Sequence, residues 1–155
     1  MNIWGISNDA VSRADEIIPQ LENPKKILDI CCGEGLTLSK IKKAFPDCYC
    51  LGTDITDFPQ WKDSEAEFRT IDLVDFIKNN EEFDYVLMLN SFRNWEGETK
   101  DALIKWLTEN TRYFITSTNL PYVKKVIGSD VKNIDLELYD LSKKSQDYRS
   151  DGTNR

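Results

Sequence analysis

Five short apolar runs, rich in β-branched and aromatic residues, punctuate the chain: ILDICC at 27–32, CYCLGT at 48–53, EFRTI at 67–71, FDYVLML at 83–89 and YFITS at 113–117. Runs of this length and composition read as strands, the first of them buried on both faces of a sheet. Between them the apolar period changes from strand-like to helical. Ala10, Ala14, Ile17, Ile18 and Leu21 recur at helical spacing between the capping residues Ser7-Asn8-Asp9 and the stop at Asn23-Pro24. Leu36, Leu38, Ile41 and Ala44 do the same, with Lys40, Lys42 and Lys43 near the end where they suit the helix dipole. Residues 73–80 and 99–110 complete the alternation, the latter with Ala102, Leu103, Trp106 and Leu107 on one face. Strands alternating with helices at this spacing imply right-handed parallel crossovers, hence an α/β sandwich with helices on both faces of the sheet. Further on the pattern weakens. Residues 121–127 read as a short helix, 133–141 as a sixth strand from Ile134, Leu136 and Leu138, and 143–155 as a polar, flexible tail.

The length, 155 residues, fits one domain spanning 1–155. Histidine is absent, which excludes Ser-His-Asp triads, Cys-His pairs and His-ligated zinc. A net charge of −7 disfavours a sequence-blind grip on nucleic-acid backbones. No apolar run is long enough to span a membrane and the N-terminus lacks a signal-like pattern, so a cytoplasmic chain without membrane contact is expected. Cys31-Cys32 and Cys48-x-Cys50 do not match the spacing that clasps zinc. They read as reduced, small apolar residues in or beside strands, and no metal site is expected.

Open sheets of this kind bind ligands beyond the C-terminal ends of their strands. There the first strand runs into Gly33-Glu34-Gly35, two glycines that let the backbone approach a ligand at a helix N-terminus. The second strand ends in Gly52-Thr53-Asp54, with a carboxylate placed for a ribose diol and Ile55 beside it. The third is followed by Asp72-Leu73, an acid suited to an amino donor such as an adenine N6, though equally suited to capping the next helix.

Taken in order, ILDICCGEG, GTDIT and TIDLVDF resemble the first three motifs of the class I S-adenosylmethionine-dependent methyltransferases, over roughly residues 8–117. The resemblance implies a three-layer Rossmann-like sandwich and S-adenosylmethionine as cofactor. Asp29 and the backbone of Cys31, Cys32, Gly33, Glu34 and Gly35 would surround its amino acid part, Asp54 and Ile55 the ribose side, and Asp72 and Leu73 the adenine. Asn90 would line the methyl-side opening. Arg93 and Trp95, in the loop after strand four, are candidates for facing an acceptor, and residues 1–22 with the loops near 58–65, 91–98 and 118–123 remain to shape its pocket. The family's sheet has seven strands in the order 3-2-1-4-5-7-6, one of them antiparallel. The polar end SKKSQDYRSDGTNR departs from this, so six strands are expected, or seven if the tail folds back. An uncovered edge at 133–141 would favour self-association there.

The reading is therefore methyl transfer to a small molecule or protein. Two alternatives stand beside it: a non-catalytic binding or assembly protein on the same fold, and an adenine-N6 methyltransferase of nucleic acid. The second rests on Asn119-Leu120-Pro121-Tyr122, which resembles a base-holding NxPY signature but follows strand five rather than strand four. Dinucleotide binding is disfavoured because Leu38 stands where a third small residue is needed, and no phosphate loop for nucleoside triphosphates is present.

Overall fold

A computed structural model describes residues 13–89, 91–117 and 123–136. Six strands form one sheet in the order β3-β2-β1-β4-β5-β6. They are β1 (Lys26–Ile30), β2 (Tyr49–Asp54), β3 (Glu67–Thr70), β4 (Phe83–Leu89), β5 (Thr111–Ser117) and β6 (Val123–Ile127). All neighbours are parallel except β5 and β6. The chain winds from β1 outward to β3, then returns to place β4 on the other side of β1. This reversal opens a crevice at the C-terminal ends of β1 and β4.

Alternation along β1 divides the core. Ile27 faces one cluster with Ile17, Leu38, Ile41, Tyr85 and Leu87, under the helical segment α1 (described from 13 to 17) and α2 (Leu36–Ala44). Leu28 and Ile30 face the other, with Phe76, Val86, Met88, Trp106 and Phe114, under α3 (Leu73–Phe76) and α4 (Gly97–Asn110). Asp29 therefore points to the α1/α2 side, the one acid in a strand whose last four residues are all buried.

Near the end of the described chain the structure corrects the sequence expectations. Residues 123–127 are a strand rather than part of a helix, paired antiparallel with β5 from Tyr113↔Ile127 to Ser117↔Val123. Residues 131–136, assigned in part to a sixth strand, begin a helix, α5. Val131 and Ile134 are buried and Leu136 is 59% exposed, which fits a helical period and not an alternation. Lys100 of α4 fastens this helix by an ion pair with Asp135 at 2.7 Å, its ammonium 4.3 Å from the Phe92 ring centroid. The antiparallel strand thus occupies the place beside β5 that the family gives to its seventh strand. The outer, parallel strand is the one not found among the described residues. The expected apolar edge is likewise replaced: among the described residues the outermost strand on this side is β6, which carries Lys124 and Lys125, a composition that discourages strand-to-strand pairing. Residues 137–155, including Leu138 and the expected tail, lie outside the described residues.

Candidate functional site

At the end of β1 the backbone leaves the sheet through three left-handed residues. Cys31, Gly33 and Gly35 have φ of 58°, 59° and 80°. Glycine adopts this region without penalty; Cys31 does so against its side-chain preference. The turn is held from several directions. The Cys32 amide donates to the Thr53 carbonyl at 3.0 Å, and the Gly35 amide to the Cys32 carbonyl at 3.1 Å. The Gly33 amide donates to Asp54 Oδ2 at 2.9 Å, while Asp54 Oδ1 accepts from the Thr56 amide at 3.1 Å. Gly35 then caps α2. The segment Pro59–Asp63 leans on this turn, with Trp61 Nε1 donating to the Gly33 carbonyl at 2.9 Å and Gln60 Nε2 to Glu34 Oε2 at 2.8 Å. The Trp61 indole stacks on Phe68 of β3 at 4.9 Å and 11°. A side chain at Gly35 would strike that Phe68 ring, so the close packing needs glycine there.

Two cavities open on either side of Cys31. The first, about 190 Å3, lies between α1, the glycine turn and the start of α2, and its wall includes Arg13, Asp29, Cys32, Gly33, Glu34, Gly35, Thr37 and Phe58. Charged Arg13, Asp29 and Glu34 and the glycine turn share this wall with the apolar Leu36, Phe58 and Leu89, and we call it the head cavity. The second, about 220 Å3, is walled by Ile30, Ile55, Ile71, Leu73 and Trp95, with Thr53 and Asp54 at one side. It is largely apolar, and we call it the base cavity. Cys31 lines both. Small-ligand sites span about 300–1,000 Å3, so the two cavities joined make a site of ordinary size. A larger groove of about 470 Å3 runs between α3 and α4, with Lys78, Glu98, Lys105 and Glu109 on its wall beside Val74, Ile77 and Trp106.

The electrostatics of the head cavity are unusual. Asp29 is 4% exposed. Burial, reinforced by the negative charge of Asp54 and opposed by Arg13, pushes its carboxyl up to about 8, so it carries a proton at neutral pH. Burial pushes the Cys32 thiol well above its ordinary range, so it is not a thiolate at neutral pH. Cys48 and Cys50 are buried on β2 and its approach; Cys31, by contrast, is exposed.

Asp29, Cys31, Cys32, Gly33, Glu34 and Gly35 are thus brought together around the head cavity, and Asp54, Ile55 and Leu73 around the base cavity. Asp72 is not brought to either wall: its carboxylate accepts from the Val74 amide at 3.2 Å and caps α3. Trp95 lines the base cavity. Asn90 lies outside the described residues, and Arg93 sits in the 3-10 turn Phe92–Asn94 with its side chain outside them. Sequence reasoning missed Arg13, Phe58 and Ile71 as wall residues and placed the 58–65 loop at an acceptor pocket rather than on the glycine turn. Two aromatics in a short polar loop, Phe58 and Trp61, were the available signal for that packing.

No protein-family model matches the sequence, and no curated protein matches it. Solved structures do. The plantazolicin methyltransferase BpumL, in complex with a monoazolic desmethylPZN analogue and SAH, superposes with a TM-score of 0.53 at 21% identity, over 70% of this chain and 45% of that one. PKMT2 from Rickettsia typhi gives 0.54 at 20% identity, over 62% and 21%. The bifunctional kinase-methyltransferase WbdD gives 0.53 at 19%, over 75% and 29%. The matched region spans less than half the length of each of these proteins. With its sheet order, its single antiparallel pair and these neighbours, the chain has the class I methyltransferase fold.

Proposed function

We propose that the chain binds S-adenosylmethionine across the two cavities and transfers its methyl group to a small-molecule or protein acceptor. The observation that carries this reading is the pairing of a cavity that holds the glycine turn, Asp29 and Arg13 with a more apolar one, the two meeting at Cys31 and the second flanked by Asp54. A ligand with a zwitterionic head, a diol and a planar base matches that sequence of surfaces. Asp54 uses two of its carboxylate acceptor sites on Gly33 and Thr56, which fixes its orientation and leaves further lone pairs for a ribose diol. Ile55, 72% exposed, and Leu73 would cover the faces of an adenine.

When bound, the cofactor supplies a methyl group already activated by the sulfonium, so the protein's contribution is to position and desolvate. Without histidine the chain offers no imidazole base. Asp29 and the Gly33–Gly35 backbone hold the head, Asp54 fixes the middle, and the walls of the base cavity exclude water from the ring. No side chain among the described residues is assigned a catalytic proton transfer.

An acceptor other than nucleic acid agrees with the net charge of −7. Phe83–Leu89 also pairs directly with β1, so it is strand four and residues 119–122 follow strand five, out of place for the base-holding signature.

Titration calorimetry with S-adenosylmethionine and S-adenosylhomocysteine tests the reading. We expect saturable binding of both, with Asp54→Ala weakening each about ten- to a hundredfold through loss of charge-assisted hydrogen bonds. No heat at millimolar ligand with a folded chain would overturn it. Binding without methyl transfer to any small-molecule or protein acceptor offered would leave the non-catalytic alternative.

A further inference from the structure

The two glycines of the turn are held by different means. Gly35 is confined by contact, since a Cβ there would meet the Phe68 ring at 2.6 Å. Gly33 has open space around it, with nothing within 4 Å of a Cβ built on it, so packing leaves its backbone a wide choice of conformations. What fixes Gly33 is its two hydrogen bonds: its amide donates to Asp54 Oδ2 at 2.9 Å, and its carbonyl accepts from Trp61 Nε1 at 2.9 Å. The second bond comes from the segment between β2 and β3, which follows the turn residue by residue. Trp61 holds Gly33, and Gln60 holds the Glu34 carboxylate at 2.8 Å. Ser64 meets Ser39 at 2.6 Å, and the Ser39 hydroxyl donates to the Gly35 carbonyl at 2.7 Å. Stability alone does not account for this fastening, because Gln60 Oε1 is left buried without a partner in the protein, which costs free energy.

We infer that the 58–64 segment positions the head cavity, with Trp61 as the positioning residue: through the Gly33 carbonyl it sets the turn that faces a ligand's amino acid end, and it leaves the base cavity untouched. The inference rests on the proposed cofactor reading. Phe58, at the start of the segment, is on the wall of the head cavity, whereas no residue from 58 to 64 is among the described residues that line the base cavity. Trp61 is itself held by its stacking on Phe68, at 4.9 Å and 11°, so a packed pair of rings aims the N–H at Gly33. A turn fixed before the ligand arrives avoids the ordering cost of binding. Loss of the Trp61 tie therefore weakens ligands that use the head cavity and spares those that do not.

Trp61→Phe keeps a stacked ring and removes the N–H. Two ligands separate its effects: S-adenosylhomocysteine, and 5′-methylthioadenosine, which has the same base, ribose and sulfur but no amino acid head. Calorimetry on the full chain should show a loss of about five- to tenfold in affinity for the first and less than about twofold for the second. With 5-fluorotryptophan incorporated, the Trp61 fluorine signal, identified by its absence in Trp61→Phe, should shift with S-adenosylhomocysteine and not with 5′-methylthioadenosine. Equal losses for both ligands, or no loss for either, in a folded variant would overturn the inference and leave the cofactor reading intact, as would a Trp61 signal that responds to both ligands alike. Failure of 5′-methylthioadenosine to bind the wild-type chain at millimolar concentration would overturn it as well, because the two cavities would then not act separately. Absence of S-adenosylhomocysteine binding by the wild-type chain would overturn both readings. If Trp61→Phe does not fold, Gln60→Met, which cuts the tie to Glu34, decides: the same split between the two ligands supports the inference, and its absence overturns it.

Discussion

The head cavity and the base cavity meet at one residue and are made of different materials. The head cavity is formed by main-chain turns at fixed left-handed positions, a buried acid and Arg13. The base cavity is formed mainly by aliphatic side chains and one indole, with Thr53 and Asp54 at one side. Recognition of charge needs donors and acceptors at defined points, which only a constrained backbone supplies. Recognition of a flat ring needs apolar surface, which many side chains can provide. The first cavity should therefore tolerate substitution badly and discriminate by charge, and the second should tolerate it well and discriminate by shape.

The largest expected effect on binding is at the glycine turn. Gly35→Val would drive its Cβ into the Phe68 ring, whose atoms lie 2.6 and 2.7 Å from that position, at a backbone φ of 80°. We expect a loss of about 2–4 kcal/mol of stability and abolished binding, measured by chemical denaturation and calorimetry. At Gly33 a Cβ would meet nothing within 4 Å, so Gly33→Val should lose only the strain of its left-handed backbone, about 1–2 kcal/mol, while still blocking the head cavity. Equal destabilisation by the two would break the account of the Phe68 contact.

Next is the buried acid. The carboxyl of Asp29 lies higher in the folded chain, at about 8, than its ordinary value of 3.8, so the native state holds the proton more tightly. Its stabilisation is complete below about pH 4 and is lost as pH rises toward 8. Asp29→Asn, which never ionises, should therefore gain on the wild type as pH rises from 4 to 8, by roughly 5 kcal/mol over that range. A difference independent of pH would contradict the assignment.

In the base cavity the effects should be smaller. Ile55→Ala removes apolar cover worth about 1 kcal/mol, or severalfold in affinity, and should act equally on S-adenosylhomocysteine and adenosine. A loss confined to the charged ligand would place Ile55 with the head instead. The smallest effect on binding is expected at Asp72. As a cap, Asp72→Ala should lower stability by about 1 kcal/mol and leave affinity within about twofold. A tenfold loss of affinity would restore the adenine role that the family resemblance implies.

Legibility in the sequence followed the same division. β4 was readable from Phe83 through Leu89 because a central parallel strand buries both faces and reads as a short run of apolar residues. The turn Gly33–Gly35 and Asp54 were readable because their chemistry constrains residue type. VKKVI at 123–127 was not readable as a strand, since its pairing partner is β5 and nothing local in two lysines between apolar residues announces an edge. Ile134 and Leu136 mimicked an alternation, whereas burial picks out Val131 and Ile134, three residues apart on one helical face. Arg13 and Phe58 reach the head cavity from elements far away in sequence, a proximity created only by the packing of α1 and the 58–63 segment on the sheet.

The central claim, that one ligand spans both cavities, is tested most directly by following backbone amide resonances of the labelled chain as S-adenosylhomocysteine is added. The account predicts saturable shifts at Gly33, Gly35 and Thr37 around the head, and at Ile55 and Leu73 around the base, with matching midpoints and none along the groove between α3 and α4. Shifts confined to one cavity, or centred on that groove, would contradict it.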